Sequence, residues 1–434
     1  DLRTREFPLR RVWSMALGTE FNTAVAGRTV LRAPSTGSEW LGFAGSRRRL
    51  PAGFAAAPAD LTGLSQADQN GLIGSFRNAW SSARADGGPN GSFSVSVGGE
   101  DPMLGKLVGY AASLTYSYSQ ETRRDESRAI AAPGSATGTF ERQNYYRGET
   151  GRIGVLWGGM LNLSSRLGSS SRLDLSNTYT RTADNEATRL AGFNDGFNQN
   201  YDITRLSFVE RSTLSSQLRG EHLLGWRHHV LWQAGYGKVT RDEPDRSDLV
   251  YETVLDTVTG ASQPVAWTGA PRSGARAFSA IDESAAQGSL SYRIQLGAHG
   301  SQTFVKVGVF GRRTDRDADS RVYDITSSSL SQPDRSAPAE SIFNGAYAAS
   351  GRLNLYANAS SGRYTARDLN AGGFAMVELP LGSRIRLIGG ARLERSGIRV
   401  RTLTVNGGDT TSRLYDTDLL PALAATIALT PAMN

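Results

Sequence analysis

The stretch Lys106–Ser119, KLVGYAASLTYSYS, restricts the fold more than any other part of the chain. Val108, Tyr110, Ala112, Leu114, Tyr116 and Tyr118 share one parity, while Leu107, Gly109, Ala111, Ser113, Thr115, Ser117 and Ser119 share the other. Side chains of a β-strand alternate between faces, so one side is apolar and aromatic and the other is small and hydroxylated. At about 3.3 Å per residue the stretch spans roughly 46 Å. Soluble strands average about five or six residues, whereas a tilted strand crossing a bilayer needs about 9–11. A long sandwich strand and a membrane strand both fit this stretch alone. Repetition separates them.

The pattern does repeat. Trp13, Met15, Leu17 and Phe21 align within Arg11–Phe21, and Phe93, Val95 and Val97 align within Ser92–Gly98. Ile153, Val155, Trp157, Leu161 and Leu163 follow, then Leu173, Leu175 and Tyr179. Strand six, from about Ile203 to Glu221, aligns Leu206, Phe208, Leu214 and Leu218, with Glu210 and Ser212 interrupting. Val230, Trp232, Ala234 and Tyr236 form the next stripe, followed by Leu290, Tyr292 and Ile294, and by Val305, Val307 and Val309. Ala371–Leu379, Arg384–Arg395 and about Tyr415–Leu429 complete twelve strands. The segments 120–149, 181–201, 242–274 and the fifty or more residues after strand nine read as long polar loops. In the irregular region after strand one, Ser65 is placed to cap a short helix with Leu72, Ile73 and Phe76 on one side.

Short links alternating with long loops predict an all-β, antiparallel, up-and-down transmembrane β-barrel, with short periplasmic turns and long extracellular loops. No apolar run approaches the 18 residues of a membrane helix, and 39% hydrophobic content suits a barrel whose apolar residues are diluted by alternation. With no cysteine, disulfides and thiol-based metal or redox chemistry are excluded. The net charge of +7 rests on arginines scattered among acids, so a nucleic-acid partner is not expected.

Several segments, in order, resemble the barrel domain of TonB-dependent outer-membrane receptors: TREFP, SEWLGFAGSRRRLP, VERSTLSSQLRGEH, TRDEPDRSDLVYE, FVKVGVFGRRTDRD, GGFAMVELPLGSRIRLIGGARLE and DLLPALAATIALTPAMN. TREFP resembles the end of that family's plug domain, and SEWLGFAGSRRRLP a first-loop signature. The resemblance implies residues 1–10 as the plug-to-barrel linker and 11–434 as about twelve strands of a 22-stranded barrel in the Gram-negative outer membrane. It also implies a plug domain elsewhere in the full-length chain, and a TonB-type inner-membrane partner that energises uptake of a scarce solute such as a siderophore, oligosaccharide or peptide. No plug and no aromatic-ended last strand occur in this sequence, so the expectation is a segment of a longer chain. A passive porin or adhesin barrel and a soluble β-rich surface protein are the alternatives.

Nothing points to an enzyme, a metal or a cofactor. His222, His228 and His229 flank one short turn and read as solvated polar groups. Ligand recognition would fall to the loop aromatics Trp40, Phe43, Tyr145, Tyr146, Phe193 and Phe197. Arg205 and Arg211, high on strand six, could steer an anionic solute along the lumen. Arg152, Arg219, Lys306, Arg386, Arg392 and Glu394 share that lumen-facing parity.

Overall fold

The computed structural model of the protein describes residues 10–57, 61–103, 105–133, 140–255, 262–298, 303–382, 384–404 and 407–427. Residues 1–9 of the expected 1–10 linker, the chain end at 428–434 and His299 lie outside the described residues. Among the described residues one antiparallel sheet has fourteen strands, twelve of them a meander in chain order and two short ones, Ser262–Trp267 and Asn354–Ala357, added beside the seventh and ninth of these. The twelve are β1 (Val12–Glu20), β2 (Asn90–Met103), β3 (Lys106–Pro133), β4 (Phe140–Arg166), β5 (Ser171–Asn194) and β6 (Gln199–Leu224). The series continues with β7 (His228–Leu255), β8 (Gly274–Gln295), β9 (Phe304–Thr326), β10 (Gly362–Leu381), β11 (Ile385–Thr404) and β12 (Asp409–Ile427). Among the described residues β1 pairs only with β2 and β12 only with β11, so both edges of the sheet are free. The all-β, up-and-down architecture expected from the alternation is therefore the one observed.

The faces are fixed by register, because residues directly opposite in an antiparallel ladder share a side. One row runs Val108, Ser165, Leu173, Gly220, Trp232, Leu290, Val309, Gly373, Leu393, Leu419 across ten strands. Rows on either side carry the other apolar stripes. They build a belt whose side chains stand uncovered: Leu114 is 42% exposed, Val309 58% and Leu423 81%. Burying such area is worth roughly 25 cal/mol per Å², so an uncovered belt on every strand demands an apolar surrounding. The opposite face holds Ser113, Thr115, Arg152, Arg211, Arg219, Lys306, Arg386, Arg392 and Glu394, the parity expected for the lumen.

The strands are much longer than the alternation implies. The supposed loops 120–149, 181–201 and 242–274 are largely ladder: β3 and β7 each run 28 residues and β5 runs 24. Beyond the belt one face stays polar and the apolar stripe of the other becomes broken and irregular, so the period-2 signal fades while the backbone ladder continues. The strict alternation of short and long links is corrected with them. Links of residues 104–105, 167–170, 225–227, 296–303 and 382–384 lie at one end, but 195–198 and 405–408 at the other are equally short. Three insertions at that second end are long: 21–89, 256–273 and 327–361.

The first and third insertions do not project as loops. They carry α1 (Gly53–Ala56), α2 (Gln66–Ser75), α3 (Gln332–Arg335), α4 (Ala339–Ile342) and α5 (Gly345–Ala349), with a two-stranded ribbon of Thr29–Arg32 and Ala83–Asp86. They lie on the belt's side of the sheet, beyond the belt, and form a second layer. Ser65 caps α2 as expected, its Oγ accepting from the Asp68 N–H at 3.2 Å, and Leu72, Ile73 and Phe76 are buried. The largest core lies between layer and sheet. Phe54, Leu61, Ile73, Phe76 and Trp80 pack with Leu249, Trp267, Phe278, Tyr323 and Ile325, closed by Ile342, Phe343 and Leu355. Phe54 contacts Phe76 and Tyr323 at ring distances of 4.7 and 4.5 Å, and Trp80 meets Phe343 at 4.2 Å.

Candidate functional site

The segment SEWLGFAGSRRRLP is the clasp that fastens this layer to the sheet. Glu39 is buried at the start of a 3-10 turn (Glu39–Leu41). Its carboxylate accepts from Ser35 Oγ, Thr36 N and Thr36 Oγ1 at 2.7 Å each, from Gly37 N at 2.8 Å and from Arg48 Nε at 3.1 Å. Arg48 is itself buried, donating to the Pro34 carbonyl at 3.1 Å and lying 5.1 Å from the Phe208 ring centre. Three sheet residues grip the turn's backbone. Tyr116 Oη donates to the Trp40 carbonyl at 2.6 Å, Trp157 Nε1 to Leu41 at 2.9 Å and Arg181 Nε to Gly42 at 2.8 Å. Gly42 ends the turn at φ +77°, where a Cβ would also sit 3.2 Å from Val155. Gly151 on β4 lets the Leu31 carbonyl approach so closely that a Cβ there would overlap it.

Burial pushes the Glu39 carboxyl up, but the hydrogen bonds from Ser35 and Thr36 outweigh it and leave the group at about 2, below its usual 4.5. The depressed value means that folding favours the ionised form. Its stabilisation is complete above about pH 4.5 and is lost as pH falls through about 2. We expect acid to release the layer before it melts the sheet ladder. Glu39→Gln should release it already at neutral pH, at a loss of about 3 kcal/mol. Limited proteolysis of the 21–89 segment across a pH series measures both; equal protection of wild type and variant throughout would refute the role given to Glu39.

A second clasp lies deeper in the layer. Asp245, left-handed at φ +61° in a β7 bulge, receives Arg276 Nη1 at 2.7 Å and Arg77 Nη1 at 3.4 Å. Arg276 Nη2 donates to the carbonyls of Arg77 and Ala79 at 2.6 Å each, and its guanidinium stacks 3.9 Å from the Trp80 ring centre. Both charges are almost fully buried. Burial drags Arg276 down to about 10 and pushes Asp245 up, against their mutual attraction.

The candidate ligand residues fall into three places. Trp40 and Phe43 belong to the first clasp; both rings remain exposed, with the Arg181 guanidinium 4.1 Å from the Phe43 ring centre. Tyr145, Tyr146 and Phe193 are not loop residues but stand in the far ends of β4 and β5. Tyr145 lies directly opposite Phe193, whereas Tyr146 points to the other face and accepts from Asn194 Nδ2 at 3.0 Å. Phe197 sits in the 195–197 turn, 74% exposed, edge-on to Tyr201. Arg205 and Arg211 share the polar face, but each has a carboxylate: Asp248 for Arg205, and Asp184 at 2.9 Å for Arg211. Arg152 also reaches Asp184, at 2.5 Å. Arg205 joins Arg246, Glu243 and Arg241 through Asp248, and Arg152 and Arg211 share Asp184, so these arginines form two ion-paired groups rather than a bare cationic funnel. Neither clasp was legible beforehand, because Glu39, Arg48, Asp245 and Arg276 meet only after the insertion folds back.

The histidines have separate partners. His222 meets Ser171 Oγ at 3.0 Å and accepts from Trp232 Nε1 at 3.0 Å; His228 meets Tyr292 Oη at 2.6 Å, and His229 meets Glu221 at 2.9 Å. Among the described residues no three His, Asp or Glu side chains gather as metal ligands.

No family model and no curated protein matches the chain. Among solved structures, the crystal structure of the P. putida toluene transporter TodX aligns over 80% of this chain and 84% of that one, at 10% identity and a TM-score of 0.18. A likeness that slight carries no weight for fold or function.

Proposed function

We propose that the chain is the wall of an outer-membrane transport barrel, with the belt against lipid and the polar face toward a lumen. The exposed apolar belt opposite a polar face, kept in register over the full meander, supports this reading. Lipid supplies the surrounding that an uncovered belt requires, and the far ends of the long strands rise beyond it. The finer reading rests on the family resemblance of the sequence segments: a TonB-dependent receptor that imports a scarce solute, with a plug in the lumen and a TonB-type partner supplying energy. On that reading the chain performs no catalysis. The charge-compensated polar face suits contact with a plug better than attraction of a free anion, since paired charges cancel at distances beyond the pair.

Two measurements test the levels separately. Lipids brominated along the acyl chain should quench the belt tryptophan Trp232; quenching no greater than in soluble controls would overturn the membrane reading. Solute uptake by cells carrying the full-length gene should stop when the energy-coupling protein is deleted. Unchanged uptake would instead favour the passive porin.

A further inference from the structure

A groove opens on the belt face at the outer border of the belt, across β8–β12. It encloses about 590 Å³ and is floored by Ala286, Gly288, Gly311, Ala371 and Gly397, between Leu369 and Tyr415. That floor is almost free of side chains: at Gly311 a Cβ would meet nothing within 4 Å. Immediately above it a polar recess of about 480 Å³ is lined by Arg316, Arg367, Arg399 and Arg401 with Asp282, Asp315 and Asp317. Immediately below lie Leu290, Val309 and Leu393 of the belt. Apolar groove and charged recess are thus stacked along the strand direction.

The charge arrangement in the recess is unusual. Arg367 and Arg399 of the recess and Arg413, next to it on the last strand, stand directly opposite one another on three consecutive strands and share a face. Like charges in directly opposed cross-strand positions destabilise a sheet. Asp315 receives Arg367 at 2.7 Å and Arg313 at 2.5 Å, and Asp409 receives Arg401 at 2.5 Å. Arg395, Arg399 and Arg413 have no ion pair among the described residues. An anion placed there would relieve the repulsion, and guanidinium groups match phosphate oxygens in bidentate geometry.

We infer that this face holds an anionic lipid of the surrounding leaflet, with acyl chain in the Gly311 groove and phosphate on Arg399 and Arg413. The inference rests on the bilayer reading above. Charge complementarity and the position of the recess, just beyond the lipid belt, select a membrane lipid over a soluble anion. The groove volume lies in the range of small-molecule sites, about 300–1,000 Å³.

The test uses the 434-residue chain in detergent, relipidated with phosphatidylcholine vesicles doped with phosphatidic acid, and native mass spectrometry of retained lipid. Wild type should retain phosphatidic acid over phosphatidylcholine. Arg399→Gln and Arg413→Gln should each weaken retention about fivefold, the effect of one basic residue at a charged membrane surface. Gly311→Leu should fill the groove and displace the lipid without touching the arginines. A chain that inserts yet shows no preference, or variants that retain lipid like wild type, would overturn the inference and leave the barrel intact. Inorganic phosphate competing as well as phosphatidic acid would overturn it too, in favour of a simple anion site. Failure to insert at all would remove both readings.

Discussion

Replacing Asp245 with Ala should destabilise the docked layer by about 3–5 kcal/mol, the largest single-site effect expected in this protein. Removing the carboxylate strands Arg276, which is almost fully buried, and takes away the second contact of Arg77. An uncompensated buried cation is far worse than a missing pair. Arg276 would retain only its two backbone carbonyls and the face of Trp80. The double change Asp245→Leu with Arg276→Met separates the explanations, because it removes both charges and leaves apolar volume. It should recover most of the loss. Denaturant unfolding in detergent, followed by Trp80 fluorescence, measures each variant. A double mutant as unstable as the single one would show that the bulge geometry, not the stranded charge, is at fault.

The second large effect lies in the belt. Leu114→Arg places a cation where Val95 and Gly159 flank an exposed apolar stripe, and should reduce insertion stability by about 2–4 kcal/mol. Ser113→Arg, one residue away on the polar face, should be nearly silent. Equal losses at the two positions would invalidate the face assignment, and with it the outward direction of every stripe. Folding into lipid vesicles under a urea series gives both values.

The parts of the fold that the sequence revealed are those where one face must be apolar. Each stripe from Met15 and Leu17 to Leu387 and Leu393 lies where alternation put it, and the twelve-strand order followed from those stripes. Strand lengths were hidden because the far part of β5 sets Thr182, Asp184 and Glu186 on one face against only Ala183, Asn185 and Ala187 on the other, a stripe too small and mixed to read, although its backbone still pairs with β6. The α2 helix was visible through Ser65 and its buried trio, yet its destination was not. Local capping chemistry does not say which distant surface receives Ile73. For the same reason Tyr145, Tyr146 and Phe193 read as loop aromatics, and Arg205 and Arg211 read as unpaired. Their partners lie on neighbouring strands whose register depends on bulges that no local pattern announces, such as the shift between Leu206 and Glu210.

The docked layer also sets the order of events during folding. Asn78 donates to the Glu340 carbonyl across 262 positions, and Trp80 is covered by Phe343 and Trp267. Contacts that distant slow folding, since the intervening loop must close before they reward it. A chain produced from its N-terminus therefore carries Leu72, Ile73, Phe76 and Trp80 uncovered until β9 and the helices after it exist. Through that interval the segment is a ready target for holding chaperones and for misassociation, and the layer cannot close before residues 327–357 are made.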